Sequence, residues 1–211
     1  GNYSVRDWVV TGALVIFYSV GVIGGELPLS HSLFVKLTPL ALVLSVLVLM
    51  KYDKGEACRK MLLYLAFVFA GGFFIEVVGV NTGLIFGHYN YGEGLSIKLF
   101  DTPLMIGLNW ALMVYLSAAV VRSFRRNFLF QVLLPSTIMV AYDVIMEQVA
   151  PKMDMWNWMG ETIPLQNYLL WATIAVVFHA VRYFISLEVK NKMALPILII
   201  QSIFFLLIWL I

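Results

Sequence analysis

Glu76, Asp143 and Glu147 each stand inside a long apolar run. Glu76 follows Gly-Gly-Phe-Phe-Ile and precedes Val-Val, and Asp143 and Glu147 share one run from Ile138 to Val149. Several carboxylates in a low-dielectric environment cannot all ionise, so at least one keeps its proton near neutral pH. A protonated acid beside an ionised one is a general acid with a partner. The chemistry open to such a set is proton transfer to an apolar substrate. A second reading stays open for Glu76: a protonated carboxyl that bonds a neighbouring helix and serves only as glue.

Other residues with chemical capacity gather near these acids. Glu147 falls one turn from Asp143 on the same helix face. Asn109 lies on the following apolar run after Glu76, and Asp101 precedes that run next to Pro103. From Glu76 to Tyr91 the chain reads Glu76-x-x-Gly79-x-x-Thr82-Gly83-x-x-Phe86-Gly87-x-Tyr89-x-Tyr91, with Gly92 next. These glycines predict a helix end followed by a tight loop that dips back into the protein, where irregular backbone is tolerated only if buried or lining a cavity. A later loop carries Trp156-Asn157-Trp158, then Ile163-Pro164, Asn167-Tyr168 and Trp171. Aromatic faces there could stabilise a cation. The plainer alternative for Tyr89, Tyr91, Trp156 and Trp158 is an interfacial aromatic belt.

Composition says what must position these groups. Of 211 residues 62% are hydrophobic and 12% charged, and the mean hydropathy is +0.90. Soluble domains carry about 45–50% apolar and about 25% charged residues. A secreted, cytosolic or DNA-binding domain and a disordered chain are therefore excluded. A net charge of +2 gives no support to nucleic-acid binding. The single cysteine, Cys58, excludes a disulfide framework. Gly1 stands where an initiator Met would, so the start reads as processed, and the segment after it does not read simply as a signal peptide.

A membrane span needs about 20 mostly apolar residues. Seven stretches qualify: 8–24, 33–50, 61–80, 103–121, 128–148, 165–185 and 193–211. The expected fold is all-α, a polytopic membrane bundle of about seven transmembrane helices forming one domain over 1–211. Basic residues orient it. Arg6, Lys51, Lys54, Arg59, Lys60, Arg122, Arg125, Arg126, Arg182, Lys190 and Lys192 fall on one side, against Lys36, Lys98 and Lys152 on the other. The N-terminus is then inside, and the two long loops, 81–102 and 149–164, lie on the outer face. Glu76 and Asp143 each follow an inner boundary by 16 residues, counted from Lys60 and Asn127. Both then sit roughly 24 Å from the inner face. Asn109 comes out roughly 20 Å up, so these polar groups converge on one layer under the outer loops.

Several chemistries lack their signatures. His31, His88 and His179 are scattered without the spacing of a zinc or di-iron site, and His179, near Arg182 in the inner half, reads as structural. No Asp-rich diphosphate motif and no phosphate-binding glycine loop occurs. Seven spans suggest a retinal protein, but 193–211 has no lysine past its start. Neither metal nor cofactor is expected.

The runs Glu76 to Tyr91, Pro103 to Trp110 (P-L-M-I-G-L-N-W), and Trp156 to Tyr168 (W-N-W…I-P-L-Q-N-Y) resemble the carotenoid biosynthesis membrane proteins, which include the γ-carotene 1′-hydratases and bisanhydrobacterioruberin hydratases. Two segments depart from that family's pattern: Asp143 is not followed by an acid-Pro pair, and Glu161-Thr162-Ile163-Pro164 replaces an aromatic-Gly-x-Pro. The resemblance implies a carotenoid 1,2-hydratase of a bacterial or archaeal cytoplasmic membrane. Its substrate would be an acyclic or monocyclic carotenoid of the lycopene or γ-carotene type, held among membrane lipid. Asp143 or Glu76 would donate a proton, with Glu147 and Asp101 as second choices. Asn109 and Thr82 could hold the water, while Tyr89, Tyr91, Trp110, Trp156, Trp158 and Asn167 complete the expected site. The rival readings are a carotene cyclase using the same protonation, and a non-enzymatic carotenoid or lipid carrier or small transporter.

Overall fold

The computed structural model describes residues 3–55, 58–160 and 162–211. Gly1 and Glu161 lie outside the described residues, as does the side chain of Cys58. The elements in chain order are α1 (Val5–Glu26), α2 (His31–Lys36), α3 (Thr38–Tyr52), α4 (Cys58–Thr82), β1 (Tyr89–Tyr91), β2 (Lys98–Leu99), β3 (Thr102–Pro103), α5 (Leu104–Val120), α6 (Leu134–Val149), β4 (Trp156–Trp158), α7 (Leu165–Phe184) and α8 (Ala194–Leu210). A 3-10 turn, Val121–Ser123, and a π-helical segment, Leu129–Leu133, join α5 to α6.

The middle of the bundle is α5. It has no charged residue, and Trp110, Met113, Val114 and Leu116 on different sides of it are all fully buried. The surrounding helices α3, α4, α6, α7 and α8 pack against it, and α1 closes onto α8. Away from α5 the outer helices turn large apolar side chains outward, among them Ile16, Ile23, Leu63, Phe74, Val177 and Leu207. A contiguous apolar exterior of this kind suits lipid rather than water.

The seven longest helices fall on the seven apolar stretches, but among the described residues four helices are long and apolar enough to cross a membrane: Val5–Glu26, Arg59–Thr82, Leu104–Ser123 and Leu129–Val149. The expected 33–50 span is divided. Pro39 lacks an amide proton, and in a continuous helix its ring would collide with the Val35 carbonyl. The chain breaks at Leu37, whose amide reaches back to Leu33 and Phe34, and α3 restarts with Pro39 in its first turn. That leaves α3 with 15 residues, and α8 has 17. Although α7 has 20 residues, it carries His179 and Arg182.

A second proline shapes the α5–α6 connection. Pro135 cannot donate to the Gln131 carbonyl one turn behind it. The helix is π-helical over Leu129–Leu133, and the Gln131 carbonyl accepts instead from Arg182 Nη2 at 2.6 Å.

Two small sheets lie at the end of the bundle where α4 stops. β2 and β3 form a hairpin whose turn residues, Phe100 and Asp101, both have positive φ. β1 and β4 come from different loops and pair antiparallel, Tyr89 with Trp158, Asn90 with Asn157, and Tyr91 with Trp156.

Candidate active site

The β1–β4 ribbon has a period of two, so Tyr89, Tyr91, Trp156 and Trp158 share one face while Asn90 and Asn157 point to the other. The four aromatics turn inward, and the two asparagines are exposed. Below the ribbon lie the two glutamates.

Glu76 stands near the end of α4 and is 3% exposed. Its Oε2 accepts from the Tyr89 hydroxyl at 2.7 Å and the Tyr91 hydroxyl at 2.8 Å. Its Oε1 accepts from Trp110 Nε1 at 3.2 Å. Glu147 repeats the arrangement from α6. Its Oε2 accepts from Trp156 Nε1 at 2.9 Å and Trp158 Nε1 at 2.8 Å, and its Oε1 accepts from Asn167 Nδ2 at 2.8 Å. Each carboxylate thus receives three donors. Hydrogen bonds to charged groups are worth about 1.5–3 kcal/mol each, so each acid is held in a fixed orientation by its donors. Burial, and then the adjacent Glu76 carboxylate, push the Tyr89 and Tyr91 hydroxyls above the usual phenol range, so both remain proton donors.

Asp143, one turn before Glu147 on α6, is in a different state. It is 1% exposed, and neither carboxyl oxygen has a hydrogen-bond partner among the described residues. A buried carboxylate without donors or a counter-cation is costly as an anion. The three acids therefore fall into two donor-rich groups and one donor-poor group.

A cavity of about 20 Å³ separates the glutamates. Glu76 and Glu147 both line it, with the four ribbon aromatics, Asn167, Phe86, Ile106 and Trp171. A water needs roughly 10–15 Å³ and two to four polar partners; this space has both. Aromatic side chains make up most of its lining, and some of them stack on each other or on rings behind. Trp110 stacks on Trp171 with centroids 3.9 Å apart, and Tyr89 lies 5.1 Å from Trp158.

The glycines in the first loop let the ribbon reach this depth. A Cβ on Gly79 would lie 2.7 Å from the Phe86 ring and 3.1 Å from the Tyr89 hydroxyl oxygen. Gly87 has φ +112, in the region that favours glycine, and a Cβ there would lie 2.8 Å from Pro164. The loop does return into the protein, with Phe86, Tyr89 and Tyr91 all buried. The helix itself continues past Gly79 to Thr82.

Of the residues expected in the site, Tyr89, Tyr91 and Trp110 are hydrogen-bonded to Glu76, and Trp156, Trp158 and Asn167 to Glu147, the two groups being joined by the ribbon. Asp143 is buried one turn before Glu147. Two expected residues are elsewhere. Asp101 is exposed, because the β2–β3 turn holds it on the surface. Thr82 is exposed too, with its hydroxyl bonded back to the Val78 carbonyl at 2.6 Å in the last turn of α4. Asn109 is 5% exposed, but it does not line the cavity, and its Nδ2 has no partner among the described residues. Phe86, Ile106 and Trp171 were not expected in the lining. Phe86 stands inside the Glu76 to Tyr91 run and Ile106 inside the Pro103 to Trp110 run, yet an apolar side chain carries no chemical signal of its own. His179 is fully buried against Ser117 at 3.1 Å and does not line the cavity.

Among known protein families, one described as carotenoid biosynthesis protein matches residues 37–211. The match takes in every site residue and stops short of α1 and α2. No curated protein and no solved structure matches the chain.

Proposed function

The chain belongs to the carotenoid biosynthesis protein family, and from that premise we propose that it is a hydratase that adds water across a terminal C1=C2 double bond of an acyclic carotenoid end. The observation that supports this most is the water-sized cavity shared by Glu76 and Glu147, with the donor-poor Asp143 one turn away. The substrate is a linear or singly cyclised carotenoid of the lycopene or γ-carotene type.

Asp143 is the proton donor. Its proton goes to C2, the alkene electrons form the new C–H bond, and C1 becomes a tertiary cation. Of Glu76 and Glu147, each oriented by three donors, the ionised one stabilises that charge electrostatically without reorganising. The rings of Trp171 and Tyr89, which line the cavity, add their quadrupoles. Water in the cavity attacks C1 and gives its extra proton to a glutamate, and return of one proton to Asp143 completes the cycle. Alkene and water enter, and a tertiary alcohol leaves. Asp143 does not line the water cavity, so in this reading proton and water reach the double bond from different side chains.

An intramembrane site suits a hydrocarbon that dissolves only in lipid. We read α1 and α3–α8 as seven spans with the N-terminus on the cytoplasmic side. The ribbon and both long loops then lie at the outer face, where water enters.

The test is expression in a lycopene-producing host followed by pigment mass analysis. A product heavier by one water is expected, and Asp143→Asn and Glu76→Gln each abolish it while the protein remains in the membrane. An unchanged pigment profile overturns the reading. A cyclised isomer of unchanged mass replaces hydration with ring closure.

A further inference from the structure

At the end of the bundle opposite the ribbon is a cleft of about 420 Å³ that plays no part in the proposed reaction. It is formed by the ends of α5 and α7, the α5–α6 connection and the loop after α7. Three guanidiniums line it: Arg122, Arg126 and Arg182. Among the described residues Glu188 is the single carboxylate lining it, and that carboxylate is engaged by Arg126 and, at 3.9 Å, by Lys190. The cleft keeps a positive excess.

Arg182 makes this a built site rather than a patch of surface charge. It is 4% exposed, and among the described residues no carboxylate lies within ion-pair distance of it. Its Nη1 donates to the Leu187 carbonyl at 3.1 Å, its Nη2 donates to the Gln131 carbonyl, and its Nε has no partner among the described residues. The helix turn disrupted by Pro135 thus holds a buried cation in place without neutralising it. A buried unpaired charge is expensive, and it calls for an anion. Arg122 and Arg126 stand exposed at the rim, where their planar forks suit a phosphate. Exposed apolar side chains accompany the charge: Phe184 lines the cleft, and Phe124, Phe128 and Leu129 lie on the α5–α6 connection.

We propose that this cleft binds a phosphate group, with the adjoining apolar rim favouring the headgroup of an anionic phospholipid as its source. The proposal is independent of the hydratase reading, since none of its residues belongs to the acid site.

The experiment uses the full chain purified in detergent. It is exposed to mixed phosphatidylglycerol and phosphatidylcholine vesicles, and retained lipid is measured by native mass spectrometry. The wild type is expected to retain phosphatidylglycerol about tenfold over phosphatidylcholine, and Arg122→Gln/Arg126→Gln to lose about that factor. Both replaced side chains are exposed, so the variant folds, which its tryptophan fluorescence checks. A parallel arm adds inorganic phosphate against chloride at matched ionic strength. If phosphate alone raises the thermal midpoint and displaces the lipid, the cleft is a phosphate site filled from solution. Retention of lipid against phosphate assigns it to the membrane. Equal retention of both lipids with no effect of phosphate overturns the proposal. So does a phosphatidylglycerol preference that survives the double substitution.

Discussion

Tyr89 lies directly across the ribbon from Trp158, yet the two donate to different acids, Tyr89 to Glu76 and Trp158 to Glu147. The next inward pair, Tyr91 and Trp156, divides in the same way. One strand therefore serves α4 and the other serves α6. The ribbon's register sets the spacing of the two carboxylates, and each acid depends on strand pairing formed by both loops.

Removing a single donor should be felt despite the two that remain. Tyr91→Phe takes one hydroxyl from Glu76 Oε2 and leaves a buried carboxyl group under-satisfied. A loss of about 1.5–3 kcal/mol in stability is expected, read as a lower thermal midpoint in detergent. Trp158→Phe should act alike through Glu147. A midpoint equal to the wild type in both variants would show that the donors do not hold the acids.

Gly87 combines a positive φ with a close neighbour in the first loop. Gly87→Ala forces a side chain into φ +112 and against Pro164. Strain of this kind costs about 1–3 kcal/mol. The ribbon would be displaced from the glutamates, so pigment conversion should fall with stability. Full conversion by the alanine variant would mean that the ribbon's approach is unimportant.

Asp101→Asn and Thr82→Val should be nearly silent. Both residues are exposed, and neither touches the cavity. Stability changes within about 0.5 kcal/mol are expected, with conversion retained in membranes. Loss of conversion in Asp101→Asn would return that carboxyl to the site.

How much of this was legible in the sequence depends on the range of each interaction. The apolar runs located the long helices because a bilayer imposes both length and polarity on whatever crosses it. Counting residues along helices put Glu76 and Asp143 at one expected depth; all three acids are buried, and Glu76 and Glu147 line one cavity. The break at Leu37 escaped the hydropathy pattern, because Pro39 acts through local sterics and not polarity. Asp101 was drawn in by its position beside Pro103, whereas a two-residue turn decided which way it faced. The pairing of Tyr-x-Tyr with Trp-x-Trp was out of reach for a different reason. Each run alone reads equally well as an aromatic belt, and only the register between two distant loops turns them into donors for buried acids.

The most direct measurement is isotopic. Membranes bearing the chain are incubated with lycopene in H2(18)O, and separately in D2O, and the product is analysed by mass spectrometry. Proton transfer from Asp143 followed by water capture predicts one 18O on C1 and one deuterium on C2, with neither appearing in Asp143→Asn membranes. Deuterium in a product that carries no 18O, or full 18O incorporation by Asp143→Asn, would contradict it.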